Sequence, residues 1–310
     1  MKKQLLWLVA ALFGCLLTVP VMAGDRMIPG IGPVGPVKKL HGKFKFTEGP
    51  AVDKDGNVYF NDIPNNKTFK VDVSGKLTLF REPSGHANGL MVNKEGKVVS
   101  CEMDGRLVWV CPECDDVKVI ASGYKGKRFN APNDLVIDKT GGIYMTDPIF
   151  RAPKPLPQGK LAVYYISAEG KVTRLIDNLP NPNGVILSPD EKTLYVIPSG
   201  QKEMMAYPVT APGKIGKGKV FCTLKQKKKG GNSGGDGLTV DVKGNLYITS
   251  GLGLQVFNPK GKALGIISLP EQPANVAFGG KDLTTLYVTA RTSLYTVPMA
   301  VKGHVFARGK

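Results

Sequence analysis

Helix-forming patterns are what this chain lacks. No run of a dozen residues in the body of the chain keeps an apolar face at helical spacing, and a period of two dominates instead. That excludes helical bundles and folds that pack helices on a parallel sheet. Cysteine is also scarce, at five in 310 residues, and Cys15 lies in the apolar N-terminal stretch. Among the other four, Cys111-Pro112-Glu113-Cys114 is a lone C-x-x-C. A structural zinc site needs two more ligands at matching spacing, and no second C-x-x-C supplies them. The motif lies between two strand-like runs rather than at a helix start, so it reads as a local disulfide bracing a turn. Cys101 and Cys222 read as small buried side chains, with their pairing open. Acidic residues are few, 25 against 42 basic, which leaves a formal charge of +17. The excess is spread along the chain. Its one cluster, Lys225 and Lys227 to Lys229, adjoins the glycine-rich stretch 230–235 and reads as a solvated loop. No nucleic-acid motif accompanies it, so no nucleic-acid partner is expected. Attraction of anionic substrates or cell-surface polymers is the milder implication.

The N-terminus has its own character. Lys2 and Lys3 precede a nearly unbroken apolar stretch from Leu5 to Val21, and Val21-Met22-Ala23 suits signal peptidase. Residues 1–23 therefore read as a cleaved signal peptide, with a secreted or periplasmic destination and no membrane span afterwards. A retained anchor is the alternative. Pro20, Ala23 and the polar Gly24-Asp25-Arg26 favour cleavage, and Phe13 makes Leu12-Phe13-Gly14-Cys15 a poor lipidation signal. Residues 24–37 are rich in Pro and Gly and read as a flexible lead-in.

From residue 38 onward the chain repeats. Glu48-Gly49-Pro50-Ala51-Val52, Asn88-Gly89-Leu90, Asn133-Asp134-Leu135, Asn183-Gly184-Val185, Asp236-Gly237-Leu238 and Asn275-Val276-Ala277 each set one oxygen-bearing side chain before an apolar run. A second strand pattern follows each, marked by Tyr59, Val99, Tyr144, Tyr195, Tyr247 and Tyr287, always eleven or twelve residues after the polar one. Two further strand-like runs joined by a turn complete each unit, as in Ala162 to Ile166 and Lys171 to Ile176 around Gly170. Six four-stranded units at this period predict an all-β, six-bladed β-propeller over residues 38–310. One small twisted sheet cannot cover both its faces; stacking sheets around an axis buries them, and closing the ring removes its open ends. The stretch His41 to Phe46 is the expected closing strand. A twin sandwich of the same strands is the structural alternative.

In a propeller the innermost strands line the channel, so the six polar positions converge on one mouth. Asparagine also favours turns, which is a sufficient account of Asn88 and Asn275. Glutamate has no special place in turns, and a carboxylate facing a narrow channel is costly unless compensated. Glu48 and Asp236 with two or more amide oxygens form a hard-oxygen set suited to Ca²⁺ or Mg²⁺. His86, two residues before Asn88, is the one histidine near this register.

At these residues the chain resembles the gluconolactonase and senescence-marker-protein (regucalcin-like) family. The motifs are Phe46-Thr47-Glu48-Gly49-Pro50, the segment from Lys127 to Asp134 with Tyr144-Met145-Thr146-Asp147-Pro148, Pro182-Asn183-Gly184, and Gly235-Asp236-Gly237-Leu238. Together they span about residues 40–300. The resemblance implies one divalent cation, with Ca²⁺ favoured over Mg²⁺, Mn²⁺ or Zn²⁺, held by Glu48, Asn133, Asn183 and Asp236. It implies a hydrolase opening a sugar lactone to an aldonic acid, with Asp236 as base; separately, a monomer is expected. Regucalcin-like members carry an arginine where this chain has Ala131, so Arg128, Arg151 or Asn130 would serve instead, and Asn88, Asn130 and Arg151 are the candidate substrate contacts. A cation would stabilise the oxyanion formed when water attacks the lactone carbonyl. A carboxylate beside a cation is a weakened base, which makes His86 the second candidate. A non-catalytic propeller that binds carbohydrate or protein is the alternative function, and a related arylesterase is a third.

Overall fold

In the computed structural model, which describes residues 27–114 and 116–306, strands dominate and a 3₁₀ turn at Ile63–Asn65 interrupts them. The expected signal peptide, residues 1–23, lies outside the described residues. Six antiparallel sheets stand around one axis, five of them running from an inner to an outer strand in chain order and the sixth taking its outer strand from the N-terminal side. Blade one is Thr47–Val52, Val58–Asp62, Lys67–Val71 and Leu77–Arg81. The inner strands of blades two to six are Ala87–Val92, Leu135–Ile137, Pro182–Leu187, Leu238–Val240 and Pro273–Gly279. The architecture is the expected six-bladed propeller.

Local chemistry explains the repeat. Several turns at the end of the molecule away from the polar ring open with Asp or Asn, whose side-chain oxygen accepts backbone N–H groups two and four residues on. Asp72 takes those of Ser74 and Lys76 at 2.8 and 3.0 Å, and Asn258 those of Lys260 and Lys262 at 3.0 Å each. This side-chain bonding closes the tight turn before glycine supplies its positive φ. The six marker residues on the second strands are all buried. Tyr247 sets its ring edge-on against Phe278 of the next blade, 5.3 Å between centroids. Its hydroxyl donates to Asp241 Oδ2 at 2.9 Å, so the ring is buried without an orphaned polar tip. Each such aromatic contributes about 1.5–3 kcal/mol by burial.

Two N-terminal expectations are corrected. Closure is made by Lys38–His41, which pairs antiparallel with Ser293–Pro298 of blade six, and not by His41 to Phe46. Gly42 and Lys43, the latter at φ 72°, end the strand. The N–H groups of Lys45 and Phe46 then turn to the Asp62 carboxylate at 3.1–3.2 Å. The described part of the lead-in is not loose: Ile28 and Ile31 are buried in the core of blades five and six, and Val34 N–H donates to Pro298 O at 2.9 Å. Its two isoleucines outweigh the Pro- and Gly-rich composition. Cys111 and Cys114 form a disulfide, while Cys101 and Cys222 are buried and unpaired.

Candidate functional site

The inner strands place Glu48, Asn88, Asn133, Asn183, Asp236 and Asn275 at one end of the channel, all largely buried. Backbone contacts between neighbouring blades hold the ring together. Gly89 N–H donates to Asn133 O at 2.6 Å, Gly184 N–H to Asp236 O at 3.0 Å, and Gly237 N–H to Ala274 O at 2.8 Å. The glycine that follows four of the six ring residues permits this approach: a side chain at Gly49, at φ 55°, would drive into the Asn88 carbonyl. Blade three breaks the pattern with Asp134. Its carboxylate accepts its neighbour Leu135 N–H at 2.9 Å and reaches across to Val185 N–H of blade four at 3.3 Å. Asp134 is absent from the ligand set expected from the sequence. The available signal was its place in a position that four of the six units fill with glycine.

Three carboxyl groups thus share the channel. Burial, then the nearby Asp236, holds Glu48 well above the usual carboxylate range. Burial raises Asp134 to about 7, and burial also raises Asp236. Compensation inside the protein is mostly neutral: Glu48 Oε2 accepts Gly49 N–H at 2.8 Å, and Asp236 Oδ1 accepts the Asn183 amide at 2.6 Å. Arg291 is the cation that acts on Asp236 from the rim. Asn183 is pinned through Nδ2 to Asp236 and, at 3.0 Å, to Ser199 Oγ, which leaves its carbonyl oxygen without a donor among the described residues. No partner among the described residues takes the Asn133 side-chain amide. Buried carboxylates that repel one another, beside two amide oxygens with open lone pairs, fit a hard divalent cation.

The remaining candidates separate. Asn88 belongs to the ring, its amide 3.9 Å from Met103 Sδ. His86 stands on the mouth-side loop, its Nδ1 3.0 and 3.1 Å from the Asp104 carboxylate oxygens. Arg151 is exposed on the loop between Ile143–Asp147 and Ala162–Ile166. Asn130 does not face substrate. It is buried, its amide donates to Asp147 O and Lys160 O at 3.3 and 2.8 Å, and its oxygen accepts Gln158 N–H at 3.1 Å. That side chain braces the loop and has nothing left for a ligand. Beyond the ring the channel turns apolar, with Ala51, Leu90, Leu135 and Val276, and His304 to Phe306 close its far end.

Fold and ring define a six-bladed propeller with an oxygen-donor site at one channel mouth. The chain belongs to the SMP-30/Gluconolactonase/LRE-like family, whose signature matches residues 46–292. It is similar to the gluconolactonase of Zymomonas mobilis, 31% identical over 289 residues, covering 84% of this chain and 81% of the relative. It is 30% identical over 233 residues to lactonase drp35 of Staphylococcus haemolyticus, covering 72% of this chain and 69% of the relative. The solved gluconolactonase XC5397 of Xanthomonas campestris superposes with a TM-score of 0.77 at 28% identity, covering 85% of this chain and 89% of that one.

Proposed function

We propose that this protein is an exported, divalent-cation-dependent lactone hydrolase. The observation that carries the reading is the convergence of Glu48, Asn133, Asn183 and Asp236 on one channel mouth in a chain similar to gluconolactonases and lactonases. Those four residues would hold the cation, Ca²⁺ by preference given all-oxygen donors. When bound, it would supply Lewis acidity to the lactone carbonyl and acidify the attacking water. Glu48 contributes the full negative charge that the amides lack. Asn183, clamped by Ser199 and Asp236, presents its oxygen in a fixed direction. Asp236 is our assignment for the group that takes the water's proton, since it opens an inner strand at the channel itself. His86 is the alternative: Asp104 orients its Nδ1 and leaves Nε2 as an acceptor.

Three variants test the site. Glu48→Gln keeps shape and removes charge, so titration with Ca²⁺ should show affinity reduced by roughly 10-fold or more, the scale already reached when a ligand's outer partner is lost. Asp236→Asn should lose cation affinity and lactone hydrolysis together. His86→Gln at saturating cation should keep a near-normal rate-against-pH profile. A fall of roughly 100-fold in that variant, with the cation still bound, moves the base to His86.

Export rests on the character of residues 1–23, and the Cys111–Cys114 disulfide supports it, since such bonds persist in oxidising compartments. N-terminal sequencing of the protein recovered from the periplasm or medium should begin near Gly24. Recovery of the uncleaved chain with membranes would contradict export. Among the described residues no helix is long and apolar enough to cross a membrane. We further propose a monomer without nucleic-acid partners, which light scattering with and without added DNA would check.

A further inference from the structure

We infer that the lactone this site takes carries an apolar alkyl or aryl substituent rather than a ring of hydroxyl groups. The inference rests on the lactonase reading and concerns only the wall above the ring. On the side of blades one to three, Ile63, Met103 and Ala131 form a buried apolar cluster, and Phe46, Phe150 and Ala152 pack against it half-buried. The cluster is continuous with the ring. Phe46 and Ala131 stand two residues before Glu48 and Asn133, and Met103 Sδ lies 3.9 Å from the Asn88 amide. The rim cation Arg291 lies over the face of Phe46, 5.9 Å from its centroid.

Two polar side chains beside this wall, Asn130 and Arg128, are already spent, and Arg151 is exposed to solvent. Asn130 is saturated by Asp147, Lys160 and Gln158. Arg128 donates to the carbonyls of Phe129 and Asn130 at 3.0 and 3.2 Å. A polyhydroxylated lactone seated on the ring would press hydroxyls against the half-buried Phe46 and Phe150, backed by Met103 and Ala131, and leave them without partners, which costs binding energy. An apolar substituent on the same ring would instead lose water on both surfaces. Discrimination by an apolar wall is modest per methylene but accumulates, at roughly 10-fold or more for each well-buried group.

The test compares three lactones with the cation-loaded protein: δ-valerolactone, the pentyl-substituted δ-decanolactone, and D-glucono-δ-lactone. We expect kcat/KM for decanolactone to exceed that for valerolactone by roughly 10-fold or more, with gluconolactone no better than valerolactone. Phe150→Ser and Met103→Gln should each lower the decanolactone-to-valerolactone ratio of kcat/KM by roughly 10-fold, through KM. A wild-type preference for gluconolactone overturns the inference while leaving the lactonase reading intact. So does an unchanged ratio in both variants. Turnover of none of the three lactones overturns the lactonase reading and this inference with it. The wild-type comparison decides the matter even where a variant fails to fold.

Discussion

Asp134 and Asp147 are the residues whose ionisation should be felt first. Burial raises both to about 7, against about 4 for an unfolded aspartate. Asp147 accepts Asn130 and Ala131 N–H at 2.9 and 2.7 Å and so shapes the segment that leads into Asn133. The sign follows from linkage. A carboxyl raised on folding favours the folded state while protonated, and that advantage is fully present below about pH 4 and lost as pH rises through about 7. Glu48 and Asp236 shift in the same direction. Cation-free protein should therefore lose thermal stability between about pH 5 and pH 8, and added Ca²⁺ should raise the melting temperature more at pH 8 than at pH 5. Melting scans with and without chelator at the two pH values check this. A Ca²⁺ effect equal at both would contradict it.

The inner strand is the element on which the site depends, and its glycines can be tested. At Gly49 both the positive φ and the approach of the Asn88 carbonyl oppose any side chain. Gly49→Ala should cost more than about 2 kcal/mol in urea unfolding, because the two penalties combine. Gly96, also at positive φ but with open space around it, should tolerate alanine better. At this scale the sequence was most readable. Each ring residue opens a strand whose partner follows at a nearly fixed distance, so Glu48, Asn133, Asn183 and Asp236 could be placed on one mouth before any coordinates. What stayed hidden depends on contacts between distant segments. Asn130 looks like a free ligand beside Asn133 until Gln158 and Lys160 return from the next loop to occupy it. Asp134 looks like the tail of a motif until Val185 arrives from blade four. The closing strand was misplaced by a few residues because alternation continues past Gly42, where the left-handed Lys43 has already broken the pairing.

Taken whole, the molecule is fastened at one seam. Glu271, on the loop before blade six, accepts Ser293 Oγ at 2.6 Å, Tyr295 Oη at 2.8 Å, and Thr292 N–H and Oγ1 at 3.0 Å each, with Lys39 Nζ of the closing strand at 3.0 Å. Burial alone would raise this carboxyl. The hydrogen bonds overcome that and hold it at about 2. Stability from Glu271 is then present above about pH 4.5 and lost as pH falls toward 2, opposite in sign to the channel carboxylates. Glu271→Gln should destabilise the protein by about 1–3 kcal/mol at pH 7, and the difference from wild type should shrink in unfolding titrations near pH 3. The seam also joins the start of the described chain to its end, with Lys39 opposite Tyr295. A ribosome delivers these strands in order. The first strand of the propeller has no partner until Ser293–Pro298 is available. Until that pairing forms, the outer edge of blade six stays open, so ring closure couples the two most distant strands of the propeller.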